Sequence, residues 1–358
     1  MDLAWNHNPE FTKWVVSTGL LAEPFVLIDV GVQGGDNVRW RALGDHLVVH
    51  GFDPIEEVVQ RLIKESRGGS NRHYHCMAVG NADGEQAFYF NPSNPFESSM
   101  YRKATNSGEE GAEQIRMMPI RRLDSLLAEG VIPTADFVKV DVEGFEKDVL
   151  LGARELLRAG VLGLEIETNF GVSPSYPKSH FVTLAELTLE NHLVVFDLAF
   201  DRIPRASFQR ALVRKGLSPI SKLDSLGRPA TVNVLFGRDL IDEVDHPDCY
   251  HSPCRQVSVN QLIKSIIVCE LYALNDVALD ATERFAQRLG AHLDVDRAVR
   301  LLADPDCLTD AYQRQIRQLR AQIRGFEQST SWRITAPLRW AKTLVLARLP
   351  TGSKSVDT

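Results

Sequence analysis

Short apolar runs alternate with segments whose apolar residues recur every three or four positions over about the first 240 residues. A short apolar run bounded by turn residues is typical of a buried strand, and a recurrence near 3.6 is typical of an amphipathic helix. Strands that alternate with helices favour a sheet covered by helices on its faces. The pattern therefore predicts an α/β fold.

The clearest strand, turn, helix and strand pattern lies in residues 25–53. The apolar run at 25–28 predicts a strand, and a helix predicted from about residue 36 to residue 43 precedes a second strand that begins at 47. Glycines in the intervening turn let the backbone turn tightly and approach a ligand. They are Gly31, Gly34 and Gly35.

The spacing of these residues separates two kinds of nucleotide site. A dinucleotide fingerprint has the pattern G-x-G-x-x-G, whereas here Asp29 precedes Gly31 by two residues and Gly34 follows three later. The second strand brings Asp53 to the carboxyl edge of the sheet, where open α/β sheets bind ligands and where an acid can accept hydrogen bonds from both ribose hydroxyls. This arrangement resembles the S-adenosylmethionine site of class I methyltransferases, and a glycine-bearing turn without that function is the alternative.

The pattern also predicts the elements that follow this stretch. They are a covering helix before residue 24, a helix at 56–65, a third strand at 73–79, a hairpin turn at 81–84 into a strand at 86–90, and a long loop at 91–111. Next come a strand at 137–140, a helix from 146 to 159, a strand at 161–167 and a closing antiparallel pair at 193–198 and 231–236 with few helical residues between them.

A block that begins at Lys139 has the sequence K-V-D-V-E-G-F-E, with V-L-L-G-A following from residue 149. Together with D-V-G at 29–31, G-F-D-P at 51–54 and the strand at 231–236, this block resembles the FkbM family of S-adenosylmethionine-dependent methyltransferases over about residues 25–238. The resemblance implies a class I methyltransferase fold and O-methylation of a hydroxyl, commonly on a sugar or a secondary metabolite. One departure is Gln33, because such sequences often have Asn there, so we expect backbone amides to make that contact.

The resemblance and the sheet edge together give a set of candidate site residues. We expect the cofactor to be bound by Asp29, Gly31, Gln33, Gly34, Asp53 and Ala78. The candidates for the transfer step are Asp141, Glu143, Glu167 and His180, since a sugar hydroxyl must lose its proton and carboxylates or imidazole can take it. Asp141 is favoured as the residue nearest the methyl group, with His180 as an alternative base; in a purely structural interpretation, Asp141 holds the cofactor's amino group and Glu143 caps a helix.

Two neighbouring carboxylates also raise the question of a metal. Mg²⁺ is held by one or two carboxylates together with water, and Asp141 and Glu143 are suitably spaced, so Mg²⁺ near the acceptor hydroxyl is a further hypothesis. The sequence offers no obvious third ligand, so the residues of a metal site are left unassigned.

Composition limits the partners and the compartment. The 358 residues carry a formal charge of −7, which argues against general nucleic-acid binding. Five cysteines, an odd number, do not indicate a disulfide framework, so we expect a reducing cytoplasm. A secretory leader pattern and a run of about 18 apolar residues are both missing from the sequence, which predicts neither secretion nor a membrane span.

The C-terminal region has a different character. Residues 260–303 have helical periodicity and predict an added helical layer or a dimerisation surface. A short heptad stripe follows at 312–326, and the stretch 312–349 carries eight basic residues against one acid. The segment 329–340 resembles a C-terminal motif, S-x-S-W-R-x-T-x-P-L-R, of enzymes that build bacterial surface polysaccharides. A membrane surface or a biosynthetic complex is thus an expected partner of residues 311–349, with a homo-oligomer as the alternative.

The sequence as a whole predicts four regions. They are a covering helix at 1–24, a methyltransferase domain at 25–240, a helical extension at 241–310 and a coiled-coil stripe with a basic tail at 311–358. The expected function is S-adenosylmethionine-dependent O-methylation of a sugar hydroxyl, in the biosynthesis of a bacterial surface polysaccharide or glycolipid, by an enzyme in the cytoplasm or at the inner membrane face. Methylation of a small secondary metabolite and a non-catalytic binding module with this fold are the alternatives.

Overall fold

The computed structural model describes residues 3–35, 37–66, 71–95, 98–102, 114–170, 179–204, 206–216, 228–249 and 257–303. Within these ranges the strands are β1 (Phe25–Val30), β2 (Leu47–Asp53), β3 (Arg72–Cys76), β4 (Ala78–Val79), β5 (Gly84–Phe90), β6 (Gln114–Arg121), β7 (Phe137–Val140), β8 (Gly163–Asn169), β9 (Val194–Ile203) and β10 (Arg228–Gly237).

The main sheet has the strand order β3-β2-β1-β7-β8-β10-β9. Its first five strands are parallel, and β10 runs antiparallel to both β8 and β9. The chain order reverses between β1 and β7, and ligands of open α/β sheets bind at such a switch point, beyond the carboxyl ends of the strands. The predicted α/β fold with a mixed sheet and a closing antiparallel pair is therefore confirmed.

A second sheet corrects the prediction of a hairpin at 81–84. Its order is β4-β6-β5, so β6, which the sequence pattern did not reveal, lies between the two strands that were expected to pair. The turn instead packs on the start of a helix, because the Asp83 carboxylate accepts hydrogen bonds from Arg122 N (3.0 Å) and Ser125 Oγ (2.7 Å). The predicted third strand breaks at Met77, and its last two residues join this second sheet.

Helices cover both faces of the main sheet. They are α1 (Glu10–Ser17), α2 (Glu56–Glu65), α3 (Leu123–Ala128), α4 (Glu146–Leu151), α5 (Arg154–Arg158), α6 (Phe181–Leu189), α7 (Ala206–Arg214), α8 (Leu240–Asp245), α9 (Val259–Leu271), α10 (Asn275–Arg284), α11 (Ala286–Leu289) and α12 (Val295–Leu302), with 3-10 turns at Val38–His46 and Pro247–Cys249. Helix α7 lies between β9 and β10, where few helical residues were expected.

Two predicted helices differ from the observed ones. The segment after the glycine turn is a 3-10 helix, and Gly44 interrupts it with non-helical dihedrals. The helix expected from 146 to 159 is divided into α4 and α5. The break follows from a close backbone approach: a Cβ on Gly152 would lie 1.9 Å from Gly80 O.

Helices α1 and α9–α12 pack on one face of the main sheet in a single apolar cluster with β1, β2 and β7. Buried ionic groups fix α9 in this position: Lys264 Nζ lies 2.8 Å from Asp136 Oδ2, and Tyr272 Oη donates to Glu165 Oε2 over 2.6 Å. The apolar face of the helical region therefore packs on its own domain.

Several predictions concern residues outside the described ranges. These are the heptad stripe, the polysaccharide-type motif, the basic tail and part of the loop at 91–111. In the part of the chain that the structure describes, every helix is too short or too polar to cross a membrane.

Candidate active site

A cavity of about 150 Å³ opens beyond the carboxyl ends of β1, β2 and β7. Seven of the ten predicted site residues line it: Gly31, Gln33, Asp53, Ala78, Asp141, Glu143 and Glu167.

Gly31 and Asp53 form one side of the cavity, where strands β1 and β2 end. Gly31 has a φ of 88°, which favours glycine, and its amide donates to Phe52 O over 2.9 Å. The Asp53 carboxylate is buried, and its Oδ1 accepts a hydrogen bond from Ile55 N at 2.8 Å. Burial raises the pKa of Asp53 to about 7, and the nearby charge of Asp29 adds to this effect.

The carboxylates of Asp141, Glu143 and Glu167 form the other side of the cavity. The same three residues line a smaller adjoining pocket together with Thr168, Asn169 and Thr231. Burial and then the charges of Asp141 and Glu143 raise the pKa of Glu167 well above that of a free glutamate. Because like charges crowd this edge, one of its carboxyl groups is favoured in the neutral form at neutral pH.

Glu146 shapes the turn that carries these carboxylates. Its Oε1 accepts hydrogen bonds from Gly144 N (2.9 Å) and Val142 N (3.3 Å), and its side chain is buried. Glu146 therefore accepts hydrogen bonds from the amides of this turn. The purely structural interpretation of the sequence had assigned a capping role to Glu143 instead. The backbone of Glu143 has a φ of 57°, a strained value for a residue other than glycine, and Ser99 Oγ donates to its carbonyl oxygen over 2.8 Å.

Lys139 is a second residue that the sequence reasoning left without a role. Its Nζ lies 3.4 Å from Asp141 Oδ2 and 3.8 Å from Asp29 Oδ1. Burial alone would lower the pKa of Lys139, but the charges of Asp29, Asp141 and Glu165 raise it overall. The alternation of apolar and charged residues in K-V-D-V-E was the signal that could have placed Lys139 and Asp141 on one face of the strand.

Three predicted residues lie outside the cavity wall. Asp29 is buried beside Lys139, behind the cavity. Gly34 is exposed in the glycine turn. His180 is the N-cap residue of α6 and forms an isolated bridge with Asn169, and it lines neither the cavity nor the adjoining pocket.

The side-chain amide of Gln33 already has a partner within the protein, because its Nε2 donates to Pro95 O over 3.1 Å. Across the described ranges, no group of three or more His, Cys, Asp or Glu side chains is arranged to hold a metal ion, so the geometry gives no support to the magnesium hypothesis.

Comparison with known proteins identifies the domain that contains this cavity. Residues 29–184 match the family model of the methyltransferase FkbM domain. Residues 29–184 therefore resemble an FkbM methyltransferase domain. The matched residues extend from Asp29, at the end of β1, into α6, and they include all ten predicted site residues. No curated protein matches the chain.

Solved methyltransferase structures match the chain at low sequence identity and low TM-score. The methyltransferase FkbM from Methylobacillus flagellatus KT is 15% identical with a TM-score of 0.34, and the match covers 63% of this chain and 47% of that protein, so the chain spans about half its length. A SAM-dependent methyltransferase from Aquifex aeolicus is 12% identical, with a TM-score of 0.29 and coverages of 64% and 90%. Aeropyrum pernix fibrillarin, in complex with natively bound S-adenosyl-L-methionine, is 9% identical, with a TM-score of 0.30 and coverages of 63% and 76%.

The mixed seven-stranded sheet extends beyond the matched residues, because β9 and β10 follow residue 184. The residues that line the cavity fit S-adenosylmethionine. Asp53 can accept hydrogen bonds from ribose hydroxyls, and the carboxylates at the ends of β7 and β8 suit the positive charges of the amino group and the sulfonium. The match to the methyltransferase FkbM domain thus supports S-adenosylmethionine as cofactor and methyl transfer as the reaction class.

Proposed function

We propose that the protein transfers a methyl group from S-adenosylmethionine to a hydroxyl of a sugar. The observation that carries the proposal is the single cavity that joins Gly31 and Asp53 to the carboxylates of Asp141, Glu143 and Glu167. A cofactor held by the first two residues would place its reactive end beside a group able to take a proton.

Each part of the cavity has a defined task in this proposal. When bound, S-adenosylmethionine would supply an electrophilic methyl group, whose bond to sulfur breaks with its electron pair left on sulfur as the acceptor oxygen binds the methyl carbon. Asp53 binds the ribose, and a carboxylate at the end of β7 takes the hydroxyl proton. The apolar side chains of Phe88, Met100 and Phe145 line the same cavity and exclude water from the reacting atoms.

The smaller pocket supports a sugar as the acceptor. Thr168, Asn169 and Thr231 line it together with carboxylates, and such side chains donate and accept hydrogen bonds as sugar hydroxyls require. The sequence motif at 329–340 favours a role in bacterial surface polysaccharide or glycolipid biosynthesis, and the basic residues of 311–349 favour attachment to the inner membrane face or to a biosynthetic complex. Full activity of a chain that ends at residue 307 would count against this attachment.

Titration of S-adenosylhomocysteine into the full chain by calorimetry tests the proposal. Because the pKa of Asp53 is raised to about 7, its carboxylate is neutral at lower pH and ionised at higher pH. Only the ionised form accepts hydrogen bonds at both oxygens, so we expect binding to be about tenfold tighter at pH 8 than at pH 6.

The matched variant is Asp53→Asn, which should bind weakly with little dependence on pH in this range. Equal binding by the variant and the wild type would remove Asp53 from the cofactor site. If the wild type gives neither heat nor a thermal shift, the methyltransferase proposal fails and the non-catalytic binding module takes its place. Methylation of a small secondary metabolite is distinguished later, by finding the acceptor among metabolites rather than in a glycan extract.

A further inference from the structure

Lys139 lies among carboxylates because of the register of three parallel strands. Asp29 is aligned with Lys139 across β1 and β7, and Lys139 is aligned with Glu165 across β7 and β8. Side chains alternate between the faces of a sheet, so residues two positions further along share this face. Those residues are Asp141 after β7 and Glu167 on β8.

Asp141 and Glu167 form a pair of neighbouring carboxyl groups, because the register of β7 and β8 places them side by side and both line the cavity and the smaller pocket. Two carboxylates that share a site do not both ionise readily, so such a pair holds one proton between its two members. Lys139 Nζ lies 3.4 Å from Asp141 Oδ2, so its charge acts first on that member of the pair. The charged groups facing Glu167 are Asp141, Glu143 and Glu146, and those facing Lys139 are Asp29, Asp141 and Glu165.

We propose that Lys139 is a positioning residue that holds the negative charge of the pair on Asp141 and leaves the shared proton on Glu167. A cation within about 4–6 Å favours the ionised form of a carboxylate. Glu167 is surrounded by three other carboxylates, which favour its neutral form. The pair therefore divides into one charged and one neutral member.

This inference rests on the proposed function and makes one part of it specific. With the shared proton on Glu167, Asp141 is the carboxylate that can accept the proton of the acceptor hydroxyl. Neutral Glu167 can donate a hydrogen bond, so it keeps the charged Asp141 in a fixed orientation. Lys139 does not touch the reacting atoms in this scheme and acts through Asp141.

The position of the shared proton can be measured without cofactor or acceptor. The full chain is labelled with carbon-13 at the glutamate side-chain carboxyl, and the Glu167 signal is assigned by its loss in Glu167→Gln. We expect this signal at the neutral-carboxyl position at pH 7 in the wild type. In Lys139→Met it should move toward the ionised position, because the proton passes to Asp141, and Lys139→Arg should restore it.

Lys13→Met is the matched control, since Lys13 is an exposed lysine paired with Glu10 on α1 and should leave the Glu167 signal unchanged. If Lys139→Met loses its fold by circular dichroism, Lys139→Gln replaces it. An unchanged Glu167 signal in a folded variant overturns the proposal, because the proton would then stay on Glu167 through burial alone. Titration of the wild type with S-adenosylhomocysteine is a separate measurement. The comparison of the Glu167 signal between the wild type and the Lys139 variants can therefore be interpreted even if the proposed function fails.

Discussion

The carbonyl oxygen of Asp141 lies where residue 31 would carry a side chain. A Cβ on Gly31 would be 1.9 Å from this oxygen, and Asp141 N in turn donates to Val30 O over 2.9 Å. The turn after β1 and the turn after β7 therefore touch through their backbones. As a result, the residues proposed to bind the cofactor and those proposed to take the proton are held at a fixed separation.

Replacing Gly31 by alanine tests this contact. Gly130 is the matched control, because it also has a positive φ but its Cβ would meet no atom within 4 Å. We expect Gly130→Ala to cost about 1–2 kcal/mol of unfolding free energy through backbone strain alone. Gly31→Ala should cost more in urea denaturation and should also abolish S-adenosylhomocysteine binding. Similar losses of stability in the two variants would contradict a role for the contact with Asp141.

At the scale of elements, Glu270 joins helix α9 to the start of helix α1. Its carboxylate accepts hydrogen bonds from Phe11 N (2.9 Å), Thr12 N (2.7 Å) and Thr12 Oγ1 (2.6 Å). The first amides of a helix have no partner within it, so a side chain from a distant helix satisfies them here. Helix α1 depends on α9 for its capping, since its own N-cap residue, Pro9, offers no side-chain hydrogen bond.

Glu270→Ala should lower the unfolding free energy by about 3 kcal/mol, because it leaves buried donors without an acceptor. Glu283→Ala, on the exposed surface of α10, is the control and should change stability by less than about 0.5 kcal/mol. Burial raises the pKa of Glu270 to about 7 from 4.5. The folded state thus binds this proton more tightly than the unfolded chain, and the stability of the wild type relative to Glu270→Gln should fall as pH rises from about 4.5 to about 7. A difference that stays constant over this range would contradict a buried titrating Glu270.

The local sequence pattern was enough to predict those elements whose neighbours in space are also close to them in the sequence. Helix α2 has the predicted bounds, because Pro54 and the apolar spacing define it locally. The second sheet was not predicted, since β6 pairs with strands on the other side of a long loop. The same reason explains the break between α4 and α5, which depends on the distant backbone of Gly80.

The candidate site follows the same division. The sequence predicted that Asp53, Asp141 and Glu167 lie at one edge of the sheet, because each follows or ends a predicted strand. Lys139 could have been predicted as a site residue, because side chains two positions apart in a strand lie on the same face. The burial of Glu146 beneath its own turn could not have been predicted in this way. His180 was assigned from its residue type and loop alone, and its orientation depends on α6.

For the whole molecule, the C-terminal helices belong to the main core. Leu262, Ile266 and Leu271 of α9 are fully buried in the cluster that also contains Phe25 and Phe137 of the sheet. Lys264 of the same helix donates to Pro24 O over 2.7 Å, just before β1 begins. A core shared in this way predicts that the sheet and α9 lose their structure together.

Native-state hydrogen exchange tests this cooperativity. We expect amides of α9 to exchange as slowly as those of β1 and β7, through global unfolding only. Helix α7 provides the comparison, since Phe208 and Val213 are exposed and its amides should exchange faster by local opening. Fast exchange in α9 alongside slow exchange in β1 would identify the C-terminal helices as a separately folding addition.

The cavity has walls from two different sheets. Gly31, Asp53 and Asp141 come from the ends of main-sheet strands, whereas Ala78 and Phe88 come from the second sheet. During divergence, one wall can therefore accumulate substitutions while the other is inherited unchanged. If the proposed methyl transfer holds, redirecting it to a new acceptor has the same freedom, and Phe88 is the natural first position to randomise.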